Sequence, residues 1–203
     1  MRRLRRAGQS DESQDKVNRM KVTQTELSGV LLIEPQVFGD SRGFFMETWN
    51  QERYESFGLP TRFVQDNVSL SAHGILRGLH YQYPNPQGKL VYVLQGEVFD
   101  VAVDIRVGSP TFAQWTATRL SANNKRQLYL PPGYAHGFCV TSEHALFAYK
   151  VTEFYDPQAD ASLAWNDPDI AIDWPIAQPL LSDKDRDAPR LKEMPPDRLP
   201  QFG

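Results

Sequence analysis

The chain has 203 residues, enough for one well-cored domain and too few for two comfortable ones. Charged residues make up 23% and the formal net charge is −3, which excludes a broad electrostatic footprint for nucleic acid and leaves room only for a local basic pocket. One cysteine, Cys139, rules out an intramolecular disulfide, and no stretch approaches the ~20 apolar residues of a membrane helix, so the expectation is a cytoplasmic protein with no membrane partner.

Residues 1–19, "MRRLRRAGQSDESQDKVNR", begin with an arginine cluster that no apolar run follows, which excludes a secretory signal. With almost no apolar content, they are expected to form a disordered N-terminal extension ahead of a folded domain spanning 20–203. That domain reads as strands almost throughout. "GVLLIEPQVF" is an apolar strand followed by the turn chemistry of "GDSRG", and as the first strand it would be a hazardous open edge in a monomer. "NQERYESFG" is the one convincing helix, with Asn50 as N-cap and Gly58 as its stop. "KLVYVLQGEVFDVAVDIR" is a pair of strands around Gly96. In the second, Phe99, Val101, Val103 and Ile105 alternate with Val98, Asp100, Ala102 and Asp104, predicting unlike faces. Asp100 and Asp104 read simply as the polar face of that strand. "FAQWTATRLS", "RQLYLPPG", "HGFCVTS" and "ALFAYKVTEFY" continue the series, with Cys139 as a buried small hydrophobe. The last forty residues hold Pro168, Pro175, Pro179, Pro189, Pro195, Pro196 and Pro200, which bars regular sheet and predicts a wrapping segment of loops and short helical turns. Many short strands with little helix predict an all-β sandwich or barrel.

Chemistry concentrates around two histidines. His80 follows "GILRGL" and sits three residues after Arg77, while His136 closes the turn "PPGYAH". Both pieces resemble the two signature motifs of cupins, double-stranded β-helix jelly rolls. Metal-binding cupins place a second histidine two residues after the first and a glutamate soon after. Here Gln82, Pro86 and Gln87 occupy that region, and two imidazoles fall short of the three or four protein ligands of a stable metal site. Metal-free chemistry is therefore expected. His73 and His144, in polar stretches, read as surface residues.

The stretches "GDSRGFFMETWN", "FVQDNVSLS", "ILRGLHYQ", "GKLVYVLQGEVFDVAVDIRVGSPTF", "LPPGYAHGF" and "WNDPDIAIDWP…LSDKD" closely resemble the dTDP-4-dehydrorhamnose 3,5-epimerase family, in order and nearly without gaps over about residues 20–190. The resemblance implies a homodimeric cupin jelly roll with a few short peripheral helices and no metal or organic cofactor. The implied substrate is dTDP-4-dehydro-6-deoxy-D-glucose, on the route to dTDP-L-rhamnose. In a 4-keto sugar the protons on carbons 3 and 5 are acidic, and inversion needs a base, an opposed proton donor and groups that stabilise the enolate oxygen. By resemblance His80 is the base, Asp185 its orienting carboxylate and Tyr149 the donor, with Lys89 and His136 polarising the keto oxygen. Arg77 and Lys184 match contacts to the diphosphate, and cations suit that role. Arg42 and Glu47, together with Gln65, Asp66 and Asn67, match binding positions that the family exchanges across its dimer. Tyr155 matches a ring that stacks on the nucleobase. Asp160 stands where the family usually has glutamate, one methylene longer, which puts that contact in question.

Taken singly, each residue has a plainer reading: Arg77 as a solvent-facing strand cation, Tyr149 as core, Lys184 and Asp185 as solvated tail charges. The joint pattern favours the site. Three other functions compete with the main reading. A single-centre epimerase or related 4-keto sugar isomerase would share these motifs. A metal-dependent cupin is opposed by Gln82, and a sugar-binding jelly roll would need no base, aspartate partner and tyrosine together.

Overall fold

The computed structural model describes residues 20–60 and 62–203, so the expected disorder of 1–19 lies outside the described residues. Two antiparallel sheets form the body. The first has the order β1-β2-β10-β7-β12-β5, with β1 at Lys21–Gln24, β2 at Leu31–Glu34, β5 at Gln65–Ala72, β7 at Lys89–Gln95, β10 at Gln127–Leu130 and β12 at His144–Val151. The second has the order β13-β6-β11-β8-β9, with β6 at Leu76–Gln82, β8 at Glu97–Asp104, β9 at Trp115–Ser121, β11 at Tyr134–Val140 and β13 at Asp160–Ser162. A separate hairpin pairs β3, Val37–Asp40, with β4, Gly43–Met46. Helix α1, Gln51–Glu55, starts where Asn50 Oδ1 accepts the Arg53 amide, as the sequence predicts. This is the all-β architecture expected from the strand series, arranged as the jelly roll that the resemblance implies.

The core lies between the sheets: Val91, Val93, Leu128 and Phe147 from the first meet Val98, Leu120, Phe138 and Val140 from the second. Burial of such side chains drives the two layers together at roughly 25 cal/mol per Å² of apolar area. Two further clusters cover the outer faces. The chain from Ala161 to Leu199 packs Leu163, Ile170, Leu191 and Leu199 onto Leu79, Val101, Val103 and Ile105. Tyr54 of α1, with Leu59, covers Ile33, Leu90 and Tyr129. The proline-rich tail wraps the second sheet as expected, using a short helix α2 at Asp183–Arg186 and 3-10 turns at Leu191–Glu193 and Pro196–Arg198.

Two expectations are overturned. "GVLLIEPQVF" is divided at Pro35 between β2 and β3, because proline cannot donate to a ladder. β2 is then an interior strand between β1 and β10, so no open edge arises there. Second, β8 does not have one wet face. The tail buries its outer residues and the opposite sheet its inner ones, which leaves Asp100 and Asp104 with no measurable exposure. Asp104 is paid for by Arg106, Ser109 and Thr111, whose donors lie at 2.7, 2.6 and 2.7 Å.

Candidate active site

Residues three apart on a regular strand point to opposite faces, yet Arg77 and His80 open into one cavity. The ladder between β6 and β11 explains it. His80 pairs with His136 and Arg77 with Phe138, so three steps on β6 match two on β11. The extra residue is a bulge at Gly78, where φ is +119°. A Cβ there would sit 2.6 Å from Gly137 Cα and 2.7 Å from the His136 carbonyl, so only glycine fits. The bulge turns Arg77 and His80 to the same side.

The cavity, about 470 Å³, opens between the two sheets. Arg77, His80 and His136 come from the second sheet, and Asn67, Lys89 and Tyr149 from the first. Phe138 and Phe147, stacked at 4.2 Å, form its floor.

Asp185, delivered by α2, sits behind His80. Its Oδ1 lies 2.5 Å from His80 Nε2, while Oδ2 accepts the Ser182 hydroxyl at 2.9 Å. Burial alone would raise the Asp185 carboxyl. The His80 hydrogen bond and charge, the Ser182 hydroxyl and the Gly78 amide outweigh it and hold the group below the usual carboxylate range. An ionised carboxylate accepts only, so Nε2 is the protonated nitrogen and Nδ1 carries the free lone pair. Among the described residues, Nδ1 has no hydrogen-bond partner.

His136 has its own carboxylate. Asp100, diagonal to it across the β8–β11 ladder, places both oxygens 3.0 Å from His136 Nε2. Burial raises the Asp100 carboxyl, opposed by His136 and Lys89. Asp100 is the site residue that the sequence reading passed over. Its signal was an acid in the apolar run "VFDVAV", interpretable only once both faces of β8 are known to be buried. Lys89 extends from the start of β7, with Nζ 3.4 Å from the His80 carbonyl. Burial pushes its ammonium down to about 8, although Asp160 and Asp100 pull the other way. Burial likewise raises the Tyr149 hydroxyl, with Arg77 opposing and Asp160 adding to the shift.

The remaining candidates divide. Gln65, Tyr155, Asp160 and Lys184 join in one chain of contacts at the rim. Gln65 Nε2 donates to Asn67 Oδ1 at 2.9 Å, the Tyr155 amide donates to Gln65 Oε1 at 3.1 Å, and the Tyr155 hydroxyl donates to Asp160 Oδ2 at 3.1 Å. Lys184 pairs with the same Asp160 oxygen. Asp66 lies at the rim bonded to Lys150 at 2.9 Å. Arg42 and Glu47 are not in this chain's cavity. Arg42 sits exposed at the β3–β4 turn against Asp40, and Glu47 binds Arg53 at 2.5 Å and Asn50 at 2.9 Å.

Gln82 is nearly buried, and its amide is fully used: Nε2 donates to the Asn85 and Phe154 carbonyls, and Oε1 accepts the Asp156 amide. It anchors two loops where a metal-binding cupin would hold a ligand. Among the described residues no three His, Cys, Asp or Glu side chains gather as a metal cluster.

Comparison with known proteins gives the same family as the motifs. The family model for dTDP-4-dehydrorhamnose 3,5-epimerase matches residues 24–193. The dTDP-4-dehydrorhamnose 3,5-epimerase of Pseudomonas aeruginosa is 58% identical over 169 residues, spanning 82% of this chain and 93% of its own. That of Methanothermobacter thermautotrophicus is 50% identical over 175 residues, spanning 85% and 95%. A crystal structure of the Legionella pneumophila dTDP-6-deoxy-D-glucose-3,5-epimerase, in complex with dTDP-4-keto-L-rhamnose, matches with a TM-score of 0.89 at 52% identity, covering 91% of this chain and 99% of that one. With most of its length matched by the family model and by full-length relatives, the chain belongs to the dTDP-4-dehydrorhamnose 3,5-epimerase family.

Proposed function

We propose that this chain inverts carbons 3 and 5 of dTDP-4-dehydro-6-deoxy-D-glucose to give dTDP-4-dehydro-L-rhamnose. The observation that carries the reading is the placement of His80 on one sheet and Tyr149 on the other, both opening into one cavity. His80 Nδ1 removes the α proton and the C–H electrons move onto the C4 oxygen as an enolate. The charged Lys89 ammonium and His136, oriented by Asp100, stabilise that oxygen. Tyr149 then protonates the carbon from the opposite face; solvent takes the proton from His80 and returns one to Tyr149, and the cycle repeats at the second carbon. Arg77, Lys184 and the Tyr155 ring hold the dTDP portion, with Asn67, Gln65 and Asp66 at the rim. Asp160 serves by holding Tyr155 and Lys184 together. Nothing in these steps calls for a metal or an organic cofactor.

The working form in this reading is a cytoplasmic homodimer. Phe38, Phe44 and Phe45 on the β3–β4 hairpin are half or more exposed, and edge strand β5 turns Val68 and Leu70 outward. An apolar surface of that kind suits burial against a second copy. The dimer would also give Arg42 and Glu47 a partner's cavity to reach. Among the described residues, no helix is long and apolar enough to cross a membrane.

The test is incubation with dTDP-4-dehydro-6-deoxy-D-glucose in deuterated water containing EDTA, followed by NMR. Deuterium at carbons 3 and 5 with inversion at both supports the reading. Inversion at one carbon makes this a single-centre epimerase, and activity that needs added divalent ion moves it to metal chemistry. Light scattering at micromolar concentration tests the dimer, which a fully active monomer would rule out.

A further inference from the structure

Strand β5 is patterned inside out. Asn67, Ser69 and Ser71 face inward, whereas Val68 and Leu70 face outward and are exposed. Polar groups on an inward face need partners or a wet cavity. The innermost of the three, Ser71, is 3% exposed, and its Oγ accepts the Arg77 Nε–H at 3.0 Å. β5 and β6 belong to different sheets, so this bond spans the corner where one sheet passes into the other. It is also the only hydrogen bond of the Arg77 side chain among the described residues.

A guanidinium can grip two oxygens of a phosphate either through Nε and one terminal nitrogen or end-on through both terminal nitrogens. Occupying Nε removes the first mode. We propose that Ser71 is a positioning residue for substrate binding: its hydroxyl fixes the Arg77 guanidinium so that both terminal NH₂ groups are presented end-on to an anionic diphosphate. This rests on the proposed reading of the site as one for a dTDP-sugar. The buried hydroxyl fixes a side chain that would otherwise sample many rotamers at an exposed position, so the ordering cost is met before the ligand arrives.

The experiment is a double-mutant cycle on dTDP affinity by calorimetry, with steady-state kinetics alongside. Ser71→Ala is expected to weaken dTDP binding about 5- to 10-fold and to raise KM similarly, with a smaller fall in kcat. Lysine has no Nε–H fork to be aligned, so Ser71→Ala in the Arg77→Lys background should change affinity less than twofold. Equal losses in both backgrounds, or unchanged dTDP affinity in Ser71→Ala at an unaltered melting temperature, would overturn the assignment. If the unmodified chain fails to bind dTDP, the reading of the site falls and takes this proposal with it. If the unmodified chain binds dTDP and the cycle shows no coupling, only the role of Ser71 falls.

Discussion

Replacing Asp185 by asparagine keeps the size and one hydrogen bond but removes the charge behind His80. The side chain is almost fully buried, whereas the His80 ring is about one-third exposed, so the pair is neither fully screened nor fully dry. When His80 takes a proton, unit charges roughly 4 Å apart attract by about 4 kcal/mol at an effective dielectric near 20. The neutral amide keeps a hydrogen bond of about 0.5–1.5 kcal/mol in place of a charge-assisted one of about 1.5–3 kcal/mol. Allowing for solvent on the His80 side, the transition state loses about 2–4 kcal/mol, which slows turnover roughly 30- to 1,000-fold. Asp185 does not line the cavity, so KM and dTDP affinity should move little. Single-turnover deuterium incorporation followed by NMR measures the chemical step, with calorimetric dTDP binding as the control. Ser182→Ala, which removes only the hydroxyl on Oδ2, should cost far less. An Asp185→Asn protein that turns over within threefold of the unmodified enzyme would refute the role given to this carboxylate.

The same site yields further expectations. His80→Asn should lower the chemical step at least ~10²-fold, whereas Tyr149→Phe should let deuterium exchange continue while inversion falls away; full inversion in Tyr149→Phe would take the tyrosine out of the mechanism. Because burial pushes Lys89 down to about 8, its ammonium is present below that pH and lost above it. kcat/KM should therefore bend downward near pH 8, and Lys89→Arg should flatten that limb at a lower rate; a plateau extending to pH 10 in the unmodified enzyme would contradict this. Asp104, buried with no exposed side chain, is held down to about 2 because Arg106, Ser109 and Thr111 outweigh the burial that would raise it. Its folded value lies below the unfolded ~3.9, so the stabilisation is complete above about pH 4 and fades as pH falls toward 2, worth about 2 kcal/mol. Urea titrations should show Asp104→Asn losing a similar amount at pH 7 with a flatter acid limb. Gly78→Ala would force a Cβ about 1 Å inside normal contact with Gly137 and into a positive-φ backbone, costing about 2–4 kcal/mol; a melting temperature equal to the unmodified chain would discredit the bulge as the device that aligns Arg77 with His80.

Strand existence and the helix at Asn50 were legible because alternation and capping act locally. The face count of β8 was not legible, since the cover on its outer side comes from residues such as Leu163 and Leu199, far along the chain. For the same reason Asp100 read as part of a polar strand face although it holds His136. "GVLLIEPQVF" misled in another way. Its proline was visible, but the partners on both sides of Leu31–Glu34 are supplied by non-local pairing. His80, Lys89, His136, Tyr149, Arg77 and Asn67, which the motif resemblance groups as one site, line one cavity. Arg42 and Glu47 lie outside it, Arg42 at the β3–β4 turn against Asp40 and Glu47 beside the start of α1. Ser71 needed the place of β5 at the sheet corner, beside Arg77 of β6, before its inward direction had meaning.

The tail that wraps the second sheet also sets the order in which the enzyme becomes competent. His80 and its carboxylate are 105 residues apart, and Asp185 arrives after every strand of both sheets has been synthesised. Contacts of such separation form late, once nearer pairings have reduced the entropy of closing the loop. A nascent or proteolytically clipped chain ending before Asp185 would contain every strand residue and every residue that lines the cavity yet leave His80 without its partner. In the proposed mechanism, such partial products of synthesis or degradation would turn over far more slowly than the whole chain.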